Sequence, residues 1–188
     1  VTINGQSITP NYNGFYVLLP SSALTVGRNQ VAIDYSHPFD QDGTGLHKFV
    51  DPEDGNVYLY TYLWPYYSNR LFPNFDQPNL KGSYELTVHA DPSWQVVSAM
   101  TEDSITANGD VATWHFPESE KFSSYIFSLH AGPYQVWEDT ARDIPIRLMA
   151  RQSLAEHVDV EEWMTYTKSG LAHYGEYFDI PYPFVKYD

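Results

Sequence analysis

Ser104-Ile105-Thr106-Ala107-Asn108-Gly109-Asp110-Val111-Ala112-Thr113-Trp114 holds two runs of strand-forming residues around a turn signal. Asn108 and Gly109 both tolerate φ > 0, and such a pair between two such runs predicts a type I′ hairpin. Working outward, the chain keeps a period of two. Val31, Ile33 and Tyr35 alternate with polar neighbours, as do Tyr84, Leu86 and Val88, then Tyr125, Phe127 and Leu129, then Ile144, Ile146 and Leu148. Alternation of this kind buries one face of a strand and wets the other. Pro20, Pro38, Pro52, Pro65, Pro73, Pro78, Pro92, Pro117 and Pro133 punctuate the runs and exclude long helices between them. The expectation is a mainly β unit over residues 1–150, folded as an antiparallel sandwich or saddle.

Near Asp159 the period changes. Val160, Trp163, Met164, Thr167, Leu171, Tyr174 and Phe178 recur at three- and four-residue steps, a mainly apolar helical stripe. Asp159 is placed to cap the first turn, with Glu162 reaching back as in a capping box. Pro181 and Pro183 end the helix. A single helix after an all-β body has little to pack against, so residues 151–188 read as a linker and the opening helix of a second domain.

The chain has 188 residues, 43% hydrophobic and 16% aromatic, which excludes intrinsic disorder. At this size roughly 70% of the unfolded surface can be buried, so a core needs no covalent staples. Its formal net charge of −14 repels phosphate backbones and anionic lipid, which argues against nucleic-acid and membrane-surface partners. No run of about 18 apolar residues is present, so no transmembrane helix is expected. Cysteine is absent, which removes disulfides and thiolate metal sites and leaves the compartment open. The chain opens on Val1-Thr2-Ile3-Asn4-Gly5 and closes on Phe184-Val185-Lys186-Tyr187-Asp188, and both ends read as cut.

Chemistry-bearing patterns are sparse. The seven histidines are at least ten residues apart, and no HExxH string places two of them on one helical face around a glutamate. His157 and Glu161 share a helical spacing that reads as a solvated contact. Asp40, Asp42, Thr44, Gly45 and Asp51 approximate a calcium loop, but Pro38 and Pro52 forbid the paired helices; an acidic turn is the plainer reading. No G-x-S-x-G elbow and no phosphate loop occurs. Tyr58, Tyr60, Tyr62, Trp64, Tyr66 and Tyr67 cluster within ten residues. Tyr58 and Tyr60 read as strand core, whereas Tyr62 to Tyr67 is the one segment whose composition hints at a surface that faces a ligand.

Three stretches carry a family resemblance: Gly45-Leu46-His47-Lys48-Phe49-Val50-Asp51-Pro52-Glu53-Asp54-Gly55-Asn56-Val57-Tyr58-Leu59-Tyr60-Thr61, then Asn69-Arg70-Leu71-Phe72-Pro73-Asn74-Phe75-Asp76-Gln77-Pro78-Asn79-Leu80-Lys81, and Tyr177-Phe178 followed by Ile180-Pro181-Tyr182-Pro183-Phe184 and Lys186-Tyr187-Asp188. In order and spacing they resemble the zinc aminopeptidases of the aminopeptidase N type, the second run matching roughly R-x-x-F-P-C-F-D-[EQ]-P. The resemblance implies a saddle-shaped β-domain, here lacking its first strands, that covers a thermolysin-like catalytic domain. The G-x-M-E-N and H-E-x-x-H motifs that bind the substrate's amino group and zinc would follow Asp188, so the segment alone is expected to be inactive. In that family zinc activates water and the motif glutamate is the general base.

Members of the family commonly carry Gln or Glu after the Thr of T-Q-F-E-P. Here the run is Thr61-Tyr62-Leu63-Trp64-Pro65, so the resemblance places Tyr62 and Trp64 as the substrate-binding residues. Tyr62 has a polar tip but supplies no carboxylate to an ammonium group. The substitution points to a pocket for apolar side chains. Phe72, Phe75, Asp76 and Pro78 read as a tight turn with aromatic anchors, and Asn74 in place of the usual Cys as a packing change. No catalytic or metal-binding residue is assigned within the segment. Peptides are the expected substrates of the longer enzyme. The rival readings are a non-catalytic relative serving as an interaction scaffold, and a carbohydrate-binding sandwich built on the Tyr/Trp cluster.

Overall fold

The computed structural model describes residues 1–188 and is mainly β. In chain order the strands are β1 (Thr2–Ile3), β2 (Gln6–Ser7), β3 (Val31–Ala32), β4 (Gly45–Val50), β5 (Val57–Tyr62), β6 (Leu86–Ala90), β7 (Gln95–Ser98), β8 (Ser104–Asn108), β9 (Val111–Phe116), β10 (Leu129–Gly132), β11 (Gln135–Ala141) and β12 (Ile144–Ala150). The helix α1 (Val160–Phe178) follows. Every strand pair in the sheets is antiparallel.

A four-stranded sheet, β4-β5-β10-β7, lies against a three-stranded one, β6-β9-β8. Directly paired residues share a face. The row Leu59–Ala131–Val96 points inward. There it meets Ala112, Trp114 and Phe116 of β9 with Leu86 and Val88 of β6, and these form the main core. The next row, His47–Tyr60–His130–Val97, belongs to the opposite face of the same sheet. That is the period of two acting across four strands at once. β8 is exposed along its whole length as the open edge.

A second core lies where α1 crosses the β11–β12 hairpin: Met164 is buried against Ala141 and Ile146, with Val160, Leu171, Trp137 and Leu148 around it. Lys168 reaches Asp139 on β11. The Asp159 side chain caps α1 by accepting from Glu162 N at 3.0 Å, but only this half of the capping box forms. The helix ends one residue before Asp179, which is left-handed at φ 51°, so a C-cap stops it ahead of the prolines.

Several local expectations are corrected. β8 and β9 pair Asn108 with Val111, so the turn residues are Gly109 and Asp110. Gly109 takes φ 63° while Asn108 and Asp110 do not go positive; this fits a II′ turn with Gly in its first central position. Ile33 and Tyr35 lie outside β3, and the Tyr35 hydroxyl instead donates to Leu71 O at 2.9 Å. Tyr125 falls in a short 3-10 turn, Ser124–Ile126. There Phe127 packs edge-on to Phe72 and beside Tyr84, and that aromatic cluster overrides the alternation. The helical stripe is covered only in part: Trp163, Tyr174 and Phe178 are exposed.

Candidate functional site

β5 carries three tyrosines on one face with a steep gradient of burial. Tyr58 is sealed, its ring 4.9 Å from Tyr134 and its hydroxyl accepting from Gln152 N at 2.9 Å. Tyr60 is half-buried, with its ring 5.0 Å from His47. Tyr62 ends the strand 47% exposed. Leu63 then plunges into the interior at 2% exposure, which turns Trp64 outward at 59%. Tyr66 lies exposed beyond it, its ring 5.1 Å from Tyr67, and the Trp64–Pro65 bond is cis. Tyr62, Trp64 and Tyr66 thus form an aromatic ledge, with Leu63 as the pin beneath it.

The turn that follows the ledge is polar and closely tied. Ser68 is fully buried, with its hydroxyl 3.0 Å from that of Ser124 and 3.2 Å from Asn74 Oδ1. Asn74 donates in turn to Phe72 O at 2.8 Å, so it makes hydrogen bonds rather than only filling space. Asp76 accepts from Asn69 N at 3.2 Å, and Pro78 O accepts from the Ser123 hydroxyl. Phe72 is an anchor, as expected, whereas Phe75 is 77% exposed and is not.

The acidic loop before β4 flanks the same ledge, because Gly45 pairs with Tyr62. Arg70 reaches Asp42 at 2.9 Å and Asp40 at 3.6 Å, and it also contacts the Thr44 hydroxyl. The hydrogen bond from Arg70 holds the Asp42 carboxyl well below the usual carboxylate range. These acids face a guanidinium, so the loop is a salt-bridged turn, with one cation against two carboxylates. His157 meets Glu156 in a solvent-exposed contact, not Glu161. No three His, Cys, Asp or Glu side chains converge where a metal ion would sit, so these residues do not fit a zinc site. Chemically the ledge offers apolar ring faces and two phenol tips, those of Tyr62 and Tyr66.

Behind the ledge, on the Tyr60–His130 face, lies a cavity of about 430 Å³ lined by His130, Tyr134, Arg147, Met149, Tyr182 and Lys186 among others. Burial lowers the His130 pKa and pushes the Tyr134 phenol up to about 12. Sequence reading missed this cluster. Its members come from residues 97–188 and share no spacing; the only signal was Arg147, a charge at an alternate position of a strand.

The fold and the ledge together define an antiparallel β-sandwich domain with an exposed aromatic contact surface and a trailing helix. The family model of the peptidase M1 N-terminal domain matches residues 2–126. Aminopeptidase N of Streptomyces lividans is 35% identical across all of this chain, which covers 22% of that protein. The probable aminopeptidase 1 of Sulfurisphaera tokodaii is 27% identical over 73% of the chain, covering 17% of that relative. The mitochondrial aminopeptidase 2 of Saccharomyces cerevisiae is 30% identical over 68% of the chain and 13% of its own length. The chain therefore spans about a fifth of these relatives or less. It belongs to the M1 aminopeptidase family, as its N-terminal domain.

Proposed function

We propose that these residues are the substrate-side cover of a zinc-dependent aminopeptidase that removes N-terminal residues from peptides. In this reading residues 1–150 are the β-saddle domain. Residues 151–188 are the linker and first helix of the catalytic domain, and that domain, outside these residues, carries zinc and the general base. The segment itself shapes the pocket and does no chemistry. The observation that carries the reading is the ledge: Tyr62 and Trp64 stand exposed at the family's substrate-contact positions, pinned by Leu63. The exposed Trp163, Tyr174 and Phe178 on α1 support packing against the remainder of the polypeptide.

The exposed side chains of the ledge are aromatic, and Tyr62 supplies no carboxylate to a substrate ammonium, so its part is contact with apolar side chains. The test uses the full-length protein and amino-acid amides. Activity that a chelator abolishes and zinc restores is expected. In Y62A and W64A, KM for large apolar residues rises on the order of 10-fold while kcat holds, the mark of lost uniform binding. A full-length protein with no aminopeptidase activity at any metal loading sinks the reading. The exposed rings also favour a second reading, carbohydrate contact, which calorimetric titration with oligosaccharides decides.

A further inference from the structure

Arg147, on β12, is the point where segments distant in the chain are fastened together. Its Nε and Nη2 donate to the two oxygens of the Asp188 side chain at 2.9 and 2.8 Å, a parallel fork, and its Nη1 donates to Glu102 Oε1 at 3.1 Å. The backbone repeats the connection: Arg147 N donates to Tyr187 O at 3.0 Å, and Tyr187 N donates to Pro145 O at 2.9 Å. Tyr187 therefore forms a single parallel bridge with Ile146 on the edge of β12. Lys186 is buried, its ammonium on Asp188, and its carbonyl accepts from the Tyr182 hydroxyl at 2.9 Å. This strap forms one wall of the cavity over His130.

The cluster differs in kind from the surface pairs. Arg147 and Asp188 side chains are 15% and 11% exposed, against 67% and 77% for Arg142 and Glu176. Exposed pairs contribute little, whereas a shielded two-point fork fixes both distance and angle. Two cations and two anions balance within the cluster, so both partners stay charged. Lysine has no planar fork and cannot reproduce the geometry.

From this we infer that Arg147 is a positioning residue that sets the direction in which the polypeptide leaves the β-sandwich and hence where the Tyr62–Trp64 ledge stands over the metal-bearing part. The inference rests on the proposed reading that this part follows Asp188. Arg147 touches no substrate. Its effect is transmitted by the strap: a displaced ledge loses contacts that ground state and transition state share, which raises KM and leaves kcat.

The test is made in the full-length protein with R147M, R147K and D188N. KM for a peptide substrate is expected to rise on the order of 10-fold, as for loss of the ledge contacts themselves. kcat should remain near wild type, R147K should recover little, and the R147M/D188N double variant should be no worse than either single. Hydrogen exchange at the Tyr187 amide should quicken in each variant. A purely structural role would lower the melting temperature and the active fraction but leave KM unchanged. Wild-type KM in folded R147M, with the wild type active, overturns the inference and leaves the proposed function standing. An inactive wild type removes the proposed function; unchanged Tyr187 exchange overturns the role of Arg147 in either case. Should R147M not fold, R147K and D188N provide the same readouts.

Discussion

Asp51 is 1% exposed and holds its charge because every side of it is answered. Its Oδ2 accepts from Ser153 and from Arg151 at 2.7 Å each, and its Oδ1 accepts from Glu53 N at 3.0 Å. The Ser153 hydroxyl, then the Glu53 amide, with Arg151 beyond, outweigh burial and lower the Asp51 pKa. At Asp188 burial pushes upward, and the bonds from Arg147 and Lys186 more than reverse it, so its pKa is lowered as well. A carboxyl with a folded pKa below its unfolded value stabilises the fold above that unfolded value, about 4. The contribution is lost as pH falls through the lower, folded pKa. Chemical denaturation should therefore show constant stability from these groups at pH 5–7 and a decline below about pH 4. D51N should flatten that decline, and equal slopes in both proteins would contradict the assignment. At the same scale, Leu63 decides the ledge. L63A should destabilise by about 2–4 kcal/mol, read from a denaturant midpoint, and free the Trp64 ring, read as faster fluorescence depolarisation.

At the scale of elements, α1 is held by its cap and by one buried residue. Asp159→Ala removes the acceptor for Glu162 N and should cost about 1 kcal/mol. Met164→Ala empties the centre of the second core and should cost about 2–3 kcal/mol. The two sites are five residues apart on one helix, so a double variant checks whether their effects add. The helix was legible in the sequence because a cap and a 3.6-residue stripe are local signals. So were β6 and β9, whose burial alternates along the strand. The strand expected through Tyr125 and Phe127 was not, because the aromatic cluster with Phe72 and Tyr84 is tertiary. The II′ turn escaped for a smaller reason: a one-residue shift of register moves the turn from Asn108-Gly109 to Gly109-Asp110.

For the whole molecule the question is how residues 151–188 belong to the sandwich. They are fastened at three separate places: Arg151 and Ser153 on Asp51, Met164 on the β11–β12 hairpin, and Asp188 on Arg147. Fastenings spread over three elements favour one cooperative transition. Equilibrium unfolding of the 188 residues followed by fluorescence of Trp114, in the main core, should coincide with far-UV loss from α1. A helix that melts at lower denaturant would make residues 151–188 a separate unit, as the division at residue 150 implies.

Taken by itself, the sequence determined the β class, the start of the helix and the family, because alternation, caps and motifs are written in neighbouring residues. It also carried the lack of a zinc motif. Only the tertiary structure decided that Tyr62 and Trp64 stand outside while Leu63 is buried, that Arg70 bridges to the acidic loop, and that Arg147 joins Glu102 to Asp188. Those outcomes depend on pairing between residues tens of positions apart. Such pairing is set by sheet register and by the burial of whole faces, quantities that no local stretch contains.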